Sequence, residues 1–359
     1  MRCRKCLMPN TRPDTQFVKG VCSACIAYEN RPQVDWDSRK EELTQLLERY
    51  DGRCLVPSSG GKDSHYQVLT LLEMGADVTV LTATTCHLTK VGRKNIGNLS
   101  NYANTIEITP NKTVRAKLNR LALKMVGDIS WPEHVLIHTL PFKVAMDMNI
   151  PLVFYGENPT NQYGGPMDRQ TELKMTRQWT QEFGGFLGMR PQDFVGMEGL
   201  TERDMKIYMG PTDQDLEDKV SVYFLGQFIP WDSHENANKA IQHGFKTLLP
   251  SKANWWNFEN LDNAQTGLHD YMMWLKYGYG RACAQISVDI RSGRITRDDA
   301  VNELRRREGV FPVNYAGVDI NDMLEQINMS YKELEHILQD YEPVCKNHSG
   351  LAKKRKCAN

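Results

Sequence analysis

The sequence predicts an α/β fold, a parallel sheet with helices on both faces, with a cysteine-rich module before it and a mostly helical region after it. Predicted strands and helices alternate between residues 53 and 159, which is typical of a parallel sheet. These strands are apolar along their whole length, as strands buried on both faces are. Helical patterns return between residues 260 and 341. The predicted regions are 1–30 (cysteine module), 31–160 (α/β domain), 161–345 (substrate-binding and helical region) and 346–359 (basic tail).

Each element of the predicted sheet domain follows from its apolar pattern. A first helix over 37–50 places Leu43, Leu46 and Leu47 on one face. Apolar and β-branched runs predict four strands, and apolar residues at helical spacing predict the helices between them. Pro141 is expected to bend the last of these helices. The strands are predicted over 53–59, 76–85, 105–110 and 150–159, and the helices over 62–74, 95–103, 112–126 and 134–149.

Composition and charge narrow the class of protein. The chain has 359 residues, 40% of them hydrophobic, which is the balance of a globular protein with a sizeable core. Lys plus Arg and Asp plus Glu both number 44, so no net field directs the chain to nucleic acid or membrane. No apolar run is long enough to span a bilayer, and no signal peptide is expected. We therefore expect a cytoplasmic protein whose nine cysteines are thiols or metal ligands.

Four of the cysteines form two close pairs near the N-terminus. Cys3 and Cys6 make one C-x-x-C pair, and Cys22 and Cys25 make the other. Two such pairs, brought together across a short hairpin, give a tetrahedral thiolate site that suits Zn²⁺. Four protein ligands leave no open position, so this zinc-ribbon-like module is predicted to be structural. A redox dithiol is the alternative, although a single pair would be enough for it.

A glycine-rich segment between a predicted strand and a predicted helix carries the strongest functional signal. It consists of Ser59, Gly60, Gly61, Lys62, Asp63 and Ser64. A Walker A loop would need glycine where Val56 stands, and serine or threonine where Asp63 stands. The Rossmann fingerprint is absent as well. The segment is therefore a candidate phosphate loop of another kind.

The residue types of this loop suit a triphosphate. Its two glycines allow the backbone to direct several N–H groups inward, and the helix N-terminus contributes its positive dipole end. Ser59 and Ser64 add hydroxyl donors, and Lys62 adds a cation. Asp63 would repel phosphate unless Mg²⁺ lay between them, so it is a candidate magnesium ligand. A glycine-rich turn with a helix cap is the alternative.

The loop resembles the S-G-G-x-D-S motif of the PP-loop ATP pyrophosphatases, which have an adenine nucleotide α hydrolase-like fold. The resemblance implies that ATP is bound here, with the β- and γ-phosphates on the loop. In this superfamily an oxygen of the substrate is adenylated, pyrophosphate is released, and a nucleophile then displaces AMP. The failure of the Walker A pattern thus points away from γ-phosphoryl transfer and toward reaction at the α-phosphate.

Several blocks are together similar to one family, the bacterial N-acetyl sugar amidotransferases of lipopolysaccharide O-antigen and flagellar glycan biosynthesis. They are the two cysteine pairs, "PSSGGKDSHYQ", "YGENP", "YFLGQFIPWD" and "LHDYMMWLKYGYGRACAQISVDI". The resemblance covers nearly the whole chain. It implies an ATP-dependent ligase that converts an acetamido group of a nucleotide sugar or nonulosonic acid to an acetamidino group. The amide oxygen would be adenylated, and ammonia would then displace AMP.

Residues outside the loop would complete the site. Lys276 and Arg281 in "LKYGYGR" are expected to neutralise phosphate charge, since the resemblance places this block at the triphosphate; a helix C-terminus with ordinary basic residues is the alternative. The turn after the fourth strand lies where ligands bind in open parallel sheets. The remaining candidates are Gly156 and Glu157 for ATP, and Arg93, Asn95, Asn158 and His269 for the substrate.

The source of ammonia is expected to be a second protein. A glutaminase with an N-terminal nucleophile needs cysteine at position 2, where Arg2 stands, and a triad glutaminase needs a much longer chain. The resemblance implies a separate glutaminase subunit, with a barrel protein similar to the synthase half of imidazole glycerol phosphate synthase. The identity of the sugar and the oligomeric state stay open.

Two other functions compete with this one. A PP-loop tRNA-thiolating enzyme also combines zinc-binding cysteines with such a loop, but it needs reactive cysteines near ATP and a basic RNA surface. Here Cys54, Cys86 and Cys283 are single residues, and the net charge is zero. A nucleotide-binding protein without catalysis would also keep the loop, although the cations of "LKYGYGR" argue against it.

Overall fold

The N-terminal module is a short hairpin followed by a helix. The computed structural model describes residues 1–31, 33–156, 180, 184–212, 214–215 and 219–348. Strands β1 (Phe17–Val18) and β2 (Val21–Cys22) pair antiparallel and lead into α1 (Ser23–Asn30). Helix α2 (Trp36–Arg49) comes next and buries its three predicted leucines.

A five-stranded parallel sheet forms the next layer. Its strands are β3 (Arg53–Pro57), β4 (Asp77–Ala83), β5 (Asn104–Ile108), β6 (Leu152–Tyr155) and β7 (Ser221–Phe224). Their order is β5-β4-β3-β6-β7, and all four pairings are parallel. The first four are the strands predicted between residues 53 and 159, and the fifth is the strand that the pattern "KVSVYFLGQFIPWD" predicts within the region assigned to substrate binding. The predicted parallel α/β sheet is confirmed.

The helices around this sheet alternate with its strands. They are α3 (Lys62–Glu73), α4 (Lys90–Leu99), α5 (Lys112–Val126), α6 (Trp131–Asp147), α7 (Glu202–Met205) and α8 (Ser233–Gln242). Strand β3 shows how both faces are covered: Cys54 and Val56 share a core with α2 and α3, while Leu55 shares another with α5 and α6. This explains why β3 has no polar alternation.

The strand order creates a switch point beside β3. The chain passes from β3 to β4 and β5 in one direction, and then returns to the other side of β3 for β6 and β7. In open sheets of this kind, ligands bind outside the carboxyl ends of the strands at the point where the order reverses. The loop after β3 and the turn after β6 lie at this point.

Helix α4 begins at Lys90, five residues before the predicted start. The Thr89 hydroxyl caps it by accepting from the Gly92 N–H at 2.9 Å. Glycines inside a helix weaken its sequence signal, which is why the first turn was not predicted. Gly92 is nevertheless required, because a Cβ at this position would lie 2.6 Å from the Cα of Asp262.

Helix α6 contains Pro141, which cannot donate to the carbonyl of Ile137 one turn earlier. The hydroxyl of Tyr155, at the end of β6, donates to that carbonyl at 2.6 Å. The proline therefore leaves a polar contact that ties α6 to the carboxyl end of the sheet.

The C-terminal region is mostly helical, as predicted. Its elements are α9 (Thr266–Tyr277), α10 (Arg281–Arg291), α11 (Arg297–Arg307), β8 (Asn314–Tyr315), β9 (Val318–Asp319), α12 (Ile320–Glu325) and α13 (Tyr331–His348). Within the part of the chain described above, no helix is both long and apolar enough to cross a membrane.

The N-terminal module packs against α10 of this region. The cysteines share a buried cluster with Ala282, Cys283 and Ile286. The Ser287 hydroxyl donates to the Cys6 carbonyl at 2.6 Å. Arg2 donates to the Gly278 carbonyl at 3.1 Å and forms an ion pair with Glu308 at 2.9 Å. The N-terminal module is therefore packed against the C-terminal helical region.

Candidate functional site

The four paired cysteines converge in the structure. Their Sγ atoms lie within 4.8 Å of one another, and all four residues are buried. Cys6 and Cys22 are 3.5 Å apart at Sγ, and Cys3 and Cys25 are 3.9 Å apart. Tetrahedral zinc with bonds of about 2.3 Å would hold its sulfurs about 3.8 Å apart. The cluster is therefore compatible with the predicted structural zinc module.

The loop after β3 has the shape that its sequence suggested. Gly60 has φ +79°, and a Cβ there would lie 2.8 Å from the backbone nitrogen of Ile96. The Gly60 N–H donates to the Ser58 hydroxyl at 2.9 Å, and Ser58 in turn donates to Ser64 at 2.7 Å. Gly61 is the N-cap of α3, and no side chain accepts a hydrogen bond from the first N–H groups of this helix. Uncapped N–H groups at a helix N-terminus can bind an anion.

The loop borders a cavity of about 410 Å³ at the switch point, within the range of ligand pockets. The carboxyl ends of β3, β4 and β6 form its floor, and the starts of α6 and α9 form its walls. The segment 258–263 closes one side. The predicted site residues that line it are Ser59, Gly60, Gly61, Lys62, Asp63, Ser64, Asn95, Gly156, His269 and Arg281.

Lys62 is the buried cation of the loop, and it contacts two carboxylates. Its Nζ lies 2.7 Å from Asp63 and 3.4 Å from Glu259. Burial alone would lower the pKa of Lys62, but the two carboxylates outweigh it, so the pKa is raised and the residue stays charged. Gln285 on α10 donates to Glu259 at 2.8 Å, and Asn236 on α8 donates to Asp63 at 3.0 Å. Both carboxylates are therefore held in place.

The same two carboxylates provide the donor chemistry of a magnesium site. Mg²⁺ prefers one or two carboxylate oxygens, together with water and substrate phosphates. Asp63 and Glu259 both face the space beside the loop and Lys62. Glu259 lies in a stretch without periodicity, so the sequence offered no signal for it.

Arg281 is the cation of "LKYGYGR" that lines the cavity. It begins α10, and its guanidinium pairs with Asp270 of α9 at 2.8 Å. Lys276 is not among the lining residues. Its Nζ donates to the Val126 carbonyl at 3.0 Å, and burial lowers its pKa. The structure therefore brings Arg281, and not Lys276, to the loop.

The structure places the other predicted substrate residues in different environments. Arg93 lies on the exposed face of α4, where it makes two hydrogen bonds to Glu107, at 2.6 and 2.7 Å. Asn95 is buried at the cavity, where its amide both donates to and accepts from the backbone of Lys246. Glu157 and Asn158 lie outside the described residues.

His269 belongs to a cluster that sequence reasoning missed. It lies 2.8 Å from Asp128, which is 3.4 Å from His134. Burial alone would raise the pKa of Asp128, but the imidazoles of His269 and His134 hold it well below its ordinary value. Asp128 and His134 are close in the sequence, but His269 lies more than a hundred residues further on, so no spacing in the sequence indicated this cluster.

A second cation was also missed. Arg115, in the first turn of α5, is fully buried and lines the cavity with one unpaired nitrogen. It donates to Cys86 at 2.9 Å and lies 3.9 Å from Glu133, whose pKa is raised by burial. With Lys62 and Arg281 it makes three cations among the described residues of the lining, and each of the three lies beside a carboxylate.

Part of the chain matches a known protein family. Residues 252–349 match the family described as LPS biosynthesis protein WbpG-like, C-terminal domain. This match supports the resemblance to N-acetyl sugar amidotransferases. Comparison with curated proteins gives no match. An NMN synthetase structure from Francisella tularensis is 14% identical, covering 61% of this chain and 100% of its own, with a TM-score of 0.28.

Proposed function

We propose that this chain, whose residues 252–349 match the family described as LPS biosynthesis protein WbpG-like, C-terminal domain, is an ATP-dependent amidotransferase of bacterial surface-polysaccharide biosynthesis. Its substrate would be a sugar that carries an acetamido group, and its product the corresponding acetamidino sugar. One observation carries the proposal. Residues of the family-matched segment, among them Glu259, His269 and Arg281, line the same cavity as the phosphate loop.

The proposed reaction proceeds in two steps. The amide oxygen attacks the α-phosphorus of ATP, the bond to the β-phosphate breaks, and pyrophosphate leaves. Ammonia then adds to the former carbonyl carbon, AMP departs with that oxygen, and loss of a proton leaves the amidine. Neither step needs a covalent nucleophile from the protein, so positioning and charge neutralisation account for catalysis.

The residues of the cavity have roles that fit these steps. The loop N–H groups and Lys62 would bind the β- and γ-phosphates, and Arg281 would neutralise further phosphate charge. Asp63 and Glu259 would hold Mg²⁺, which neutralises the triphosphate when bound. Ammonia would come from a separate glutaminase subunit working with an imidazole glycerol phosphate synthase-like barrel protein.

The proposal is tested by product analysis. The protein is incubated with ATP, Mg²⁺, ammonium and a panel of nucleotide-linked and nonulosonic acetamido sugars. Mass spectrometry should show a product about 1 Da lighter than one of the sugars, since oxygen is replaced by NH, together with AMP and pyrophosphate. Asp63→Ala should abolish it, and Glu73→Ala, on the exposed side of the same helix, should not. Turnover retained by Asp63→Ala would contradict the site assignment.

The positions of the single cysteines argue against the tRNA-thiolating alternative. Burial raises the pKa of Cys54 and of Cys283 to about 12, and it also raises the pKa of Cys86. None of the three is among the described residues that line the cavity. Loss of activity in Cys86→Ser, together with tRNA binding, would favour that alternative.

A further inference from the structure

We propose that Asp128, His134 and His269 form a second metal site, distinct from the cysteine cluster, for a divalent transition metal such as Zn²⁺ or Mn²⁺. The three residues come from different elements. Asp128 precedes α6, His134 lies in the first turn of α6, and His269 lies in the first turn of α9. Their donor atoms all lie within 4.8 Å of one another.

The separations of the donor atoms are close to those of ligands that share an ion. One oxygen of Asp128 lies 2.8 Å from His269 Nδ1, and the other lies 3.4 Å from His134 Nδ1. Around an ion with bonds of about 2.1 Å, neighbouring ligand atoms are about 3.0 to 3.4 Å apart, depending on geometry. The His134 pair has this spacing, whereas the His269 pair is at hydrogen-bond distance and would widen by a few tenths of an ångström around an ion.

The outer contacts of the cluster are also those of a metal site. The Ser130 N–H donates to Asp128 at 2.8 Å and fixes the buried carboxylate. The second nitrogen of His269, Nε2, lies 4.0 Å from Asp270 Oδ1, beyond hydrogen-bond distance. In metal sites a carboxylate commonly lies on this side of a ligating imidazole and accepts from that nitrogen, so Asp270 is placed near the position of such a partner without making the bond here. Arg281 holds Asp270 in turn.

The donor set selects the class of ion. Two imidazole nitrogens and one carboxylate favour Zn²⁺, Mn²⁺ or Fe²⁺, whereas Mg²⁺ prefers oxygen ligands alone. Three protein ligands leave coordination positions open, in contrast to the closed cysteine cluster. His134 and His269 line the cavity, so an oxygen donor of a bound molecule could take an open position.

Metal content tests the site without any turnover, so the result does not depend on the proposed reaction. Wild-type protein is equilibrated with Zn²⁺, desalted and analysed by plasma mass spectrometry. We expect two zinc ions per chain, and one in His134→Asn and His269→Asn. His234→Asn is the matched control, because its Nε2 pairs with Asp289 at 2.9 Å and the described part of the chain brings no third ligand to this pair. It should retain two ions.

A Co²⁺ titration of the wild-type protein provides a measurement that requires no variant to fold. The cysteine cluster should give sulfur-to-cobalt charge-transfer bands that saturate at one equivalent. The second site should add weaker ligand-field bands without charge transfer, saturating at a second equivalent. One zinc ion per wild-type chain together with cobalt saturation at one equivalent would show that these residues form only a hydrogen-bonded cluster. Two zinc ions in the His134 and His269 variants would show the same.

Discussion

Gly60→Ala should destabilise the protein even when no ligand is bound. Gly60 has φ +79°, a conformation that costs an L-residue about 1–2 kcal/mol. The added Cβ would also lie 2.8 Å from both Ile96 Cγ1 and the Ile96 backbone nitrogen. The backbone nitrogen belongs to α4 and cannot rotate away, so strain of about 1–3 kcal/mol follows. We therefore expect a total loss of about 2–5 kcal/mol in the free energy of unfolding.

Gly61→Ala is the matched control for this substitution. Gly61 has φ −74°, which any residue adopts, and a Cβ there would meet only Ser59 Oγ, at 3.4 Å. Its effect should stay within about 1 kcal/mol, since the lower entropy of the unfolded chain offsets small losses. Urea unfolding followed by tryptophan fluorescence measures both variants. Equal midpoints for the two variants would refute the reasoning that Gly60 is required by its backbone and by α4.

Three further predictions concern other parts of the molecule. Cys22→Ser should remove one zinc ion per chain and lower the urea midpoint, as measured by metal analysis and fluorescence; unchanged zinc content would count against the cysteine site. Arg2→Met should cost about 3–5 kcal/mol because it leaves Glu308 buried without its partner, and adding Glu308→Gln should recover part of this in urea unfolding. Burial, helped by Arg115, lowers the pKa of His87 to about 4, so the unfolded chain binds a proton below about pH 6.5 that the folded protein excludes. Stability should therefore fall by roughly 3 kcal/mol between pH 6.5 and pH 4 through this group, and His87→Leu should flatten that decline; an unchanged pH profile would contradict it.

The sheet could be predicted because its strands are continuous apolar runs between turns. Strands β3 to β6 and helices α3 and α5 lie within a few residues of their predicted positions. The start of α4 was not predicted, because a glycine such as Gly92 is unfavourable inside a helix. Only the approach of Asp262, far away in the sequence, explains why a glycine stands there.

The candidate site could be predicted only where its residues are adjacent in the chain. The residues of the loop, and those of each cysteine pair, are close together in the sequence, so their spacing alone predicts that they lie together in the structure. Glu259 comes from an irregular stretch, and its contact with Lys62 spans almost two hundred residues. Arg93 has the chemistry of an anion ligand, but the outward face of α4 pairs it with Glu107. Its position on the exposed face of α4, within a helix that the sequence predicted to begin only at Asn95, decided that outcome.

The contact between the N-terminal module and α10 has a consequence for the order of events during synthesis. Cys25 leaves the ribosome long before Ser287 and Glu308, which complete the surface that buries the module. At about 5–20 residues per second, the interval is roughly 15–60 s. During that time the thiols have no packing partner from the rest of the chain. An ion or an oxidant that reaches them in this interval acts on a nascent peptide whose cysteines are not yet buried against α10.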